Sequence, residues 1–147
     1  MSDMGKPKSF EKRRRVLLAD DHPLVLERVT VLLQSTFEVV GVAHDGLEMI
    51  DKAMRLSPDI IVSDISMPKL DGIRAAHRIQ EMGAKAPIVF LTIHESPRLV
   101  EACLAEGGLG FVLKAQMKAD LIPAIHAALS GQCFVSSPRH SKGRVTE

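Results

Sequence analysis

Short apolar runs recur along the chain and alternate with longer amphipathic stretches. Runs at 16–19, 38–43, 59–63, 88–92 and 109–113 are too short for helices, and several are rich in Val and Ile. "VLLA", "IIV" and "IVFL" are continuous rather than alternating, which predicts strands covered on both faces, as in a parallel sheet. Helical spacing lies between and after them. Val25, Val29 and Leu32 fall at i, i+4, i+7; Leu47, Ile50 and Met54 fall at i, i+3, i+7. Ala75, Ile79 and Met82 repeat the spacing, as do Leu99 with Cys103, and Leu121, Ile125 and Leu129, after which Gly131 stops the last helix. A strand followed by a helix, five times over, predicts right-handed crossovers with helices on both faces of one sheet.

In open α/β sheets the ligand site lies beyond the carboxyl ends of the strands, at a topological switch point. Strand one ends in Asp20 and Asp21, strand three in Asp64, strand four in Thr92 and strand five in Lys114. A doubly wound order 2-1-3-4-5 makes strands one and three neighbours, so the three acids converge on one edge with the hydroxyl and the ammonium beside them. An Asp after a strand is ordinarily a loop cap; three of them in one pocket are not. Crowded carboxylates repel, and a hard divalent cation relieves them. Oxygen-only donors favour Mg²⁺ over zinc. A phosphoryl group could bridge the metal and Lys114, with Asp64 as nucleophile and an aspartyl phosphate as product.

Composition narrows the alternatives. The chain has 147 residues, one domain's worth, with 46% hydrophobic and 25% charged residues. A net charge of +1 gives no general attraction to nucleic acid or membrane, and the absence of Trp and Tyr leaves few base-stacking surfaces. No run approaches the roughly 18 apolar residues of a membrane span. The start, "MSDMGKPKSFEKRRR", lacks the apolar core of a secretory signal. Cys103 and Cys133 suggest neither a disulfide framework nor a zinc site, so a reducing cytoplasm is expected. The basic residues from Lys12 to Arg15 read as a solvated lead-in to strand one. "GGLG" before strand five lacks the Gly-Lys-Ser/Thr ending of a phosphate loop and reads as a turn. His22 is expected to start the first helix beside Pro23. His94 reads as a loop residue, and His44, His77, His126 and His140 as surface residues.

Four motifs in order, "VLLADDHPLV", "IIVSDISMPKLDG", "VFLT" and "GFVLK", resemble the receiver domain of bacterial two-component response regulators. "DDHP" and "AIHAALSGQCFVSSP" further resemble the NarL/FixJ-like transcription regulators. The resemblance implies a flavodoxin-like (βα)5 fold over residues 14–131, with a mobile arm at 1–13 and a linker or tail at 132–147. It implies that Asp64 accepts a phosphoryl group from a histidine kinase or phosphotransfer protein. Asp20, Asp21, Asp64 and the Ser66 carbonyl would hold Mg²⁺. Thr92 would hydrogen-bond the phosphate, Lys114 would pair with it, and Phe111 stands where the family has an aromatic that turns inward on phosphorylation. Ala115 follows Lys114 where many receivers carry proline, so a different loop is expected there. On this reading the chain is a switch rather than an enzyme, catalysing only its own phosphorylation and dephosphorylation. Homodimerisation through the face of helix four, strand five and helix five is one expected consequence. DNA would be met only through a domain not in this chain. The alternatives are a stand-alone receiver used as a protein-binding module and, more remotely, a haloacid-dehalogenase-like phosphatase. That phosphatase family places its two acids at i and i+2, whereas Asp20 and Asp21 are adjacent.

Overall fold

The computed structural model describes residues 13–94 and 96–137. Most of the arm, Lys12, His140 and the tail beyond 137 lie outside the described residues. The strands are β1 (Arg15–Ala19), β2 (Glu38–Ala43), β3 (Ile60–Asp64), β4 (Ile88–Thr92), β5 (Gly108–Leu113) and β6 (Phe134–Val135). The helices are α1 (Pro23–Leu33), α2 (Gly46–Leu56), α3 (Gly72–Glu81), α4 (Pro97–Ala105) and α5 (Met117–Leu129). All pairings are parallel, and the sheet order is β2-β1-β3-β4-β5-β6. The expected order therefore stands, and a sixth strand extends it. That strand comes from the segment read as a linker or tail. Two residues between Cys133 and Ser136 carry too little pattern to announce a strand; the open edge of β5 recruits them.

Two apolar clusters flank the sheet. One combines Val16, Leu18, Val62, Val89 and Leu91 with Leu26, Val29 and Leu33 of α1 and Leu121 and Ile125 of α5. The other combines Leu17, Ile61, Ile88 and Phe90 with Met49 of α2, Ile79 of α3 and Cys103 of α4. Alternate strand residues feed opposite clusters, which is why the strands read as continuous apolar runs.

The helix faces differ in detail from the expected stripes. In α1 the buried residues are Leu26, Val29 and Leu33, with Val25 and Leu32 beside them. In α2 they are Gly46, Met49 and Ala53, while Leu47 is 48% exposed and Met54 lies at the rim. In α3, Met82 is the exposed C-cap and Ala75, Ala76 and Ile79 are buried.

Helix starts follow side-chain capping. Asp45, Asp71 and Ser96 accept the main-chain N–H of Glu48, Arg74 and Leu99. His22 is the N-cap of α1 and Pro23 its first residue, as expected, although the His22 side chain makes no cap bond. Gly72 opens α3 directly behind β3, where an added Cβ would run into the main-chain carbonyl of Asp64. Only glycine lets the chain turn back so close to that strand end. No helix among the described residues is long and apolar enough to cross a membrane.

Candidate functional site

The register brings the expected residues to one edge. Ala19 pairs with Ser63, so Asp20 and Asp64 leave the ends of β1 and β3 side by side. Thr92 ends β4 beside Leu113, and Lys114 follows at once. Asp20 is 2% exposed, Asp64 5% and Thr92 3%. Lys114 reaches into this buried acid pair, its Nζ 2.9 Å from Asp20 Oδ2 and 3.4 Å from Asp64 Oδ2. Asp64 Oδ1 accepts the N–H of Ile65 at 2.8 Å, and the Ser63 hydroxyl donates to the Asp64 carbonyl at 2.8 Å.

The electrostatics follow from burial. Desolvation first, and the charge of Asp20 second, push the Asp64 carboxyl above its ordinary range; Lys114 and the Ile65 N–H pull it back by less. Burial is also the largest single influence on Lys114 and would lower it. The close contact with Asp20 Oδ2 and the charges of Asp64 and Asp20 together outweigh it, so Lys114 is raised above its usual value.

One lysine does not satisfy this pocket. Asp20 Oδ2 and Asp21 Oδ1 are buried without an aligned hydrogen bond; Lys114 Nζ lies 2.9 Å from the first and His22 Nδ1 3.2 Å from the second. Asp20, Asp21, His22 and Asp64 each offer a donor atom within 4.8 Å of the others. Oxygen-rich donors with surplus negative charge suit a hard divalent cation.

His22 was expected to begin α1. Its main-chain N–H and its Nδ1 both lie on Asp20 Oδ1, at 2.9 and 3.0 Å, so it also orients that acid. Ser66 is exposed at the start of the loop after Asp64. That loop is tight: Gly72 N–H donates to Ile65 at 2.7 Å, Leu70 N–H donates to Pro68 at 2.7 Å, and Lys69 between them has φ +69. Thr92 Oγ1 accepts the N–H of His94 at 3.1 Å, and His94 is an exposed loop residue. Phe111 is 2% exposed, already turned inward among Phe90 and Leu113. After Lys114 the chain makes a 3-10 turn, Lys114–Gln116, and no described peptide bond is cis.

Residues beyond the expected set also carry charge. Asp120, in the first turn of α5, is 2% exposed and accepts the Ser136 hydroxyl at 2.7 Å. In sequence it looks like an ordinary acid at a helix start, a common and solvated position. His77, read as a surface residue, is exposed but bridges Glu106 at 2.7 Å and Glu81 at 3.2 Å.

Residues 16–126 match the response regulator receiver domain family. The transcriptional regulatory protein PdtaR of Mycobacterium tuberculosis is 39% identical over 118 residues, which are 80% of this chain and 57% of that protein. The chain thus spans little more than half the length of that relative. A two-component response regulator of the LuxR family from Aurantimonas sp. SI85-9A1 superposes with a TM-score of 0.81 at 32% identity, covering 87% of this chain and 92% of that one. The signal receiver domain of NarL from Mycobacterium tuberculosis superposes with a TM-score of 0.78 at 28% identity, covering 82% and 99%. The chain therefore belongs to the response regulator receiver domains of two-component signalling, with NarL- and LuxR-type regulators among its relatives.

Proposed function

We propose that Asp64 is the phosphoryl acceptor of a switch driven by a histidine kinase or a phosphotransfer protein. The observation that carries this reading is the buried acid pair Asp20–Asp64 held by Lys114, with acid oxygens left over for a cation. Asp20, Asp21, Asp64 and the Ser66 carbonyl are the proposed Mg²⁺ ligands. When bound, the ion supplies positive charge against the transferring phosphoryl oxygens and keeps Asp64 ionised.

The chain's own residues supply the rest. An Asp64 carboxylate oxygen attacks phosphorus; the new P–O bond forms as the P–N bond to the donor imidazole breaks, and that imidazole takes up a proton. Lys114, already 3.4 Å from Asp64, shifts from the carboxylates to the incoming phosphoryl oxygens. Thr92 exchanges its bond from the His94 N–H for one to the phosphoryl group. The modification adds about −1.5 to −2 charges to a buried pocket, so the state that best accommodates them gains population. Phe111 beside Thr92's strand carries the movement toward the face of α4, β5 and α5, where a homodimer would form.

The receiver is proposed to span 14–131. The output is proposed to be transcriptional, in the cytoplasm, through a DNA-binding unit outside this chain; a stand-alone receiver that binds a partner protein is the alternative. The test is intact mass after incubation with acetyl phosphate and Mg²⁺. One phosphoryl adduct is expected, missing in Asp64→Asn and without Mg²⁺. Failure to form the adduct, together with failure to bind beryllofluoride, would leave a receiver fold used for binding alone.

A further inference from the structure

The acid pocket leaves a second buried polar cluster unused. It lies at the far edge of the sheet, where β6 runs along β5. Ser136 is its centre. Its N–H donates to the Phe111 carbonyl at 2.8 Å, and its hydroxyl donates to Asp120 Oδ2 at 2.7 Å. The same hydroxyl accepts the Leu113 N–H at 3.2 Å. Gln116 reaches both parts, donating to Asp120 at 3.3 Å and to the Ser137 carbonyl at 2.8 Å. Phe134 packs on the α1–α5 core, while Val135, on the opposite side, lines a groove of about 220 Å³ with Phe111, Leu113, Pro97 and Val100.

Segment 134–137 is thus seated on β5 by main-chain pairing and on the first turn of α5 by the Ser136 hydroxyl. A buried acid is costly unless bonded, and Asp120 takes the Ser136 hydroxyl; the seat and the segment complete each other. The seat also touches the switch. Leu113, whose N–H reaches Ser136, directly precedes Lys114. That bond, at 3.2 Å, is longer than the two that Ser136 donates, at 2.7 and 2.8 Å.

We propose that segment 134–137 is a latch on the β5 edge, locked by Ser136 on Asp120 and loosened when Lys114 moves to a phosphoryl group on Asp64. The latch sets where the chain leaves the receiver, so its release passes the state of Asp64 to whatever follows residue 137. The coupling rests on the phosphorylation reading of Asp64; the latch itself does not.

The test is amide hydrogen exchange on the full chain with and without beryllofluoride and Mg²⁺, in wild type and Ser136→Ala. Ser136→Ala removes the lock without touching Asp64, Thr92 or Lys114. In wild type, beryllofluoride should speed exchange of the Leu113 and Ser136 amides at least tenfold. Ser136→Ala should exchange that fast without the mimic and respond to it little further. Wild-type protection of the segment that is unchanged or increased, while beryllofluoride visibly binds, would overturn the coupling. Equal protection in Ser136→Ala and wild type would overturn the latch. If beryllofluoride fails to bind, the phosphorylation reading and the coupling fall together, and the Ser136→Ala comparison still decides the latch. Asp120→Asn, which keeps an acceptor oxygen, should loosen the segment less than Ser136→Ala.

Discussion

At the amino ends of the strands, Arg15 donates its main-chain N–H to Asp59 at 2.7 Å and its guanidinium to the carbonyls of Leu56 and Ser57 at 2.7 and 2.9 Å. At the carboxyl ends, Asp20 and Asp21 keep buried oxygens that receive no aligned hydrogen bond. The amino end also carries a groove of about 360 Å³ lined by Met54, Pro58, Ile61, Met82 and Ala86. Both ends belong to the same strands and the same cores. What separates them is acid oxygen left without a hydrogen bond under burial, and that is the feature on which the proposed site rests. Buried polar groups are ordinarily hydrogen-bonded, so Asp20 Oδ2 and Asp21 Oδ1 are the two atoms that a bound ligand would complete.

The comparison can be broken by changing one end at a time. Lys114→Ala should slow adduct formation from acetyl phosphate by about 10²–10³, the usual cost of losing one aligned charge on a developing anion. Lys85→Ala, in the amino-end groove, should leave the rate unchanged. Rates from time-resolved intact mass compare the two, and an equal loss in both would erase the distinction between the ends.

Ile61→Ala tests the other direction. Ile61 is fully buried and lines the amino-end groove, so truncation should cost about 2–5 kcal/mol in urea unfolding. Its adduct yield per folded molecule should match wild type. A lost yield in the folded fraction would show that the two ends are coupled.

A smaller effect concerns the cost of the site itself. Burial, then Asp20, raises Asp64 above its ordinary carboxyl range. Ionising Asp64 therefore disfavours the folded state; the penalty is absent below the unfolded-state value and complete above the raised folded one. With EDTA near neutral pH, Asp64→Asn should raise the melting temperature by about 2–4 °C, the shift that about 1 kcal/mol gives at this size. A lowered midpoint would mean that the Lys114 contact outweighs the desolvation.

The smallest effect lies away from both ends. Glu106 first by hydrogen bond and then by charge, with the charge of Glu81 behind it, raises His77 above its ordinary value. Stability from this exposed bridge is complete below the unfolded-state value of 6.5 and fades as pH rises through the raised folded value. The wild-type urea midpoint should fall slightly across that window relative to His77→Gln. Parallel pH profiles would remove the bridge from consideration.

Much of this was legible in the residues alone. A continuous apolar run that stops on an acid, in two of the five βα units, points to one edge once the doubly wound order is supplied. Local chemistry also marks the starts of helices: Asp45, Asp71 and Ser96 cap in the structure as such residues do in general. The helix faces were harder. Between Gly46 and Leu56 the apolar residues Leu47, Met49, Ile50 and Met54 permit two stripes one residue apart, and a helix alone has no reason to choose. Docking on the sheet selected Met49 with Ala53 and left Leu47 outside.

The amino-acid sequence by itself determined the alternation of strands and helices, the acids at the strand ends and the glycine behind Asp64, because periodicity, capping and steric limits act over a few neighbouring residues. Tertiary structure alone decided the β6 strap, the burial of Asp120 and the ionic contacts of Lys114 with both Asp20 and Asp64. Each of these depends on an edge, a partner or a loss of solvent supplied by residues 16 or more positions away, and no local pattern can encode it.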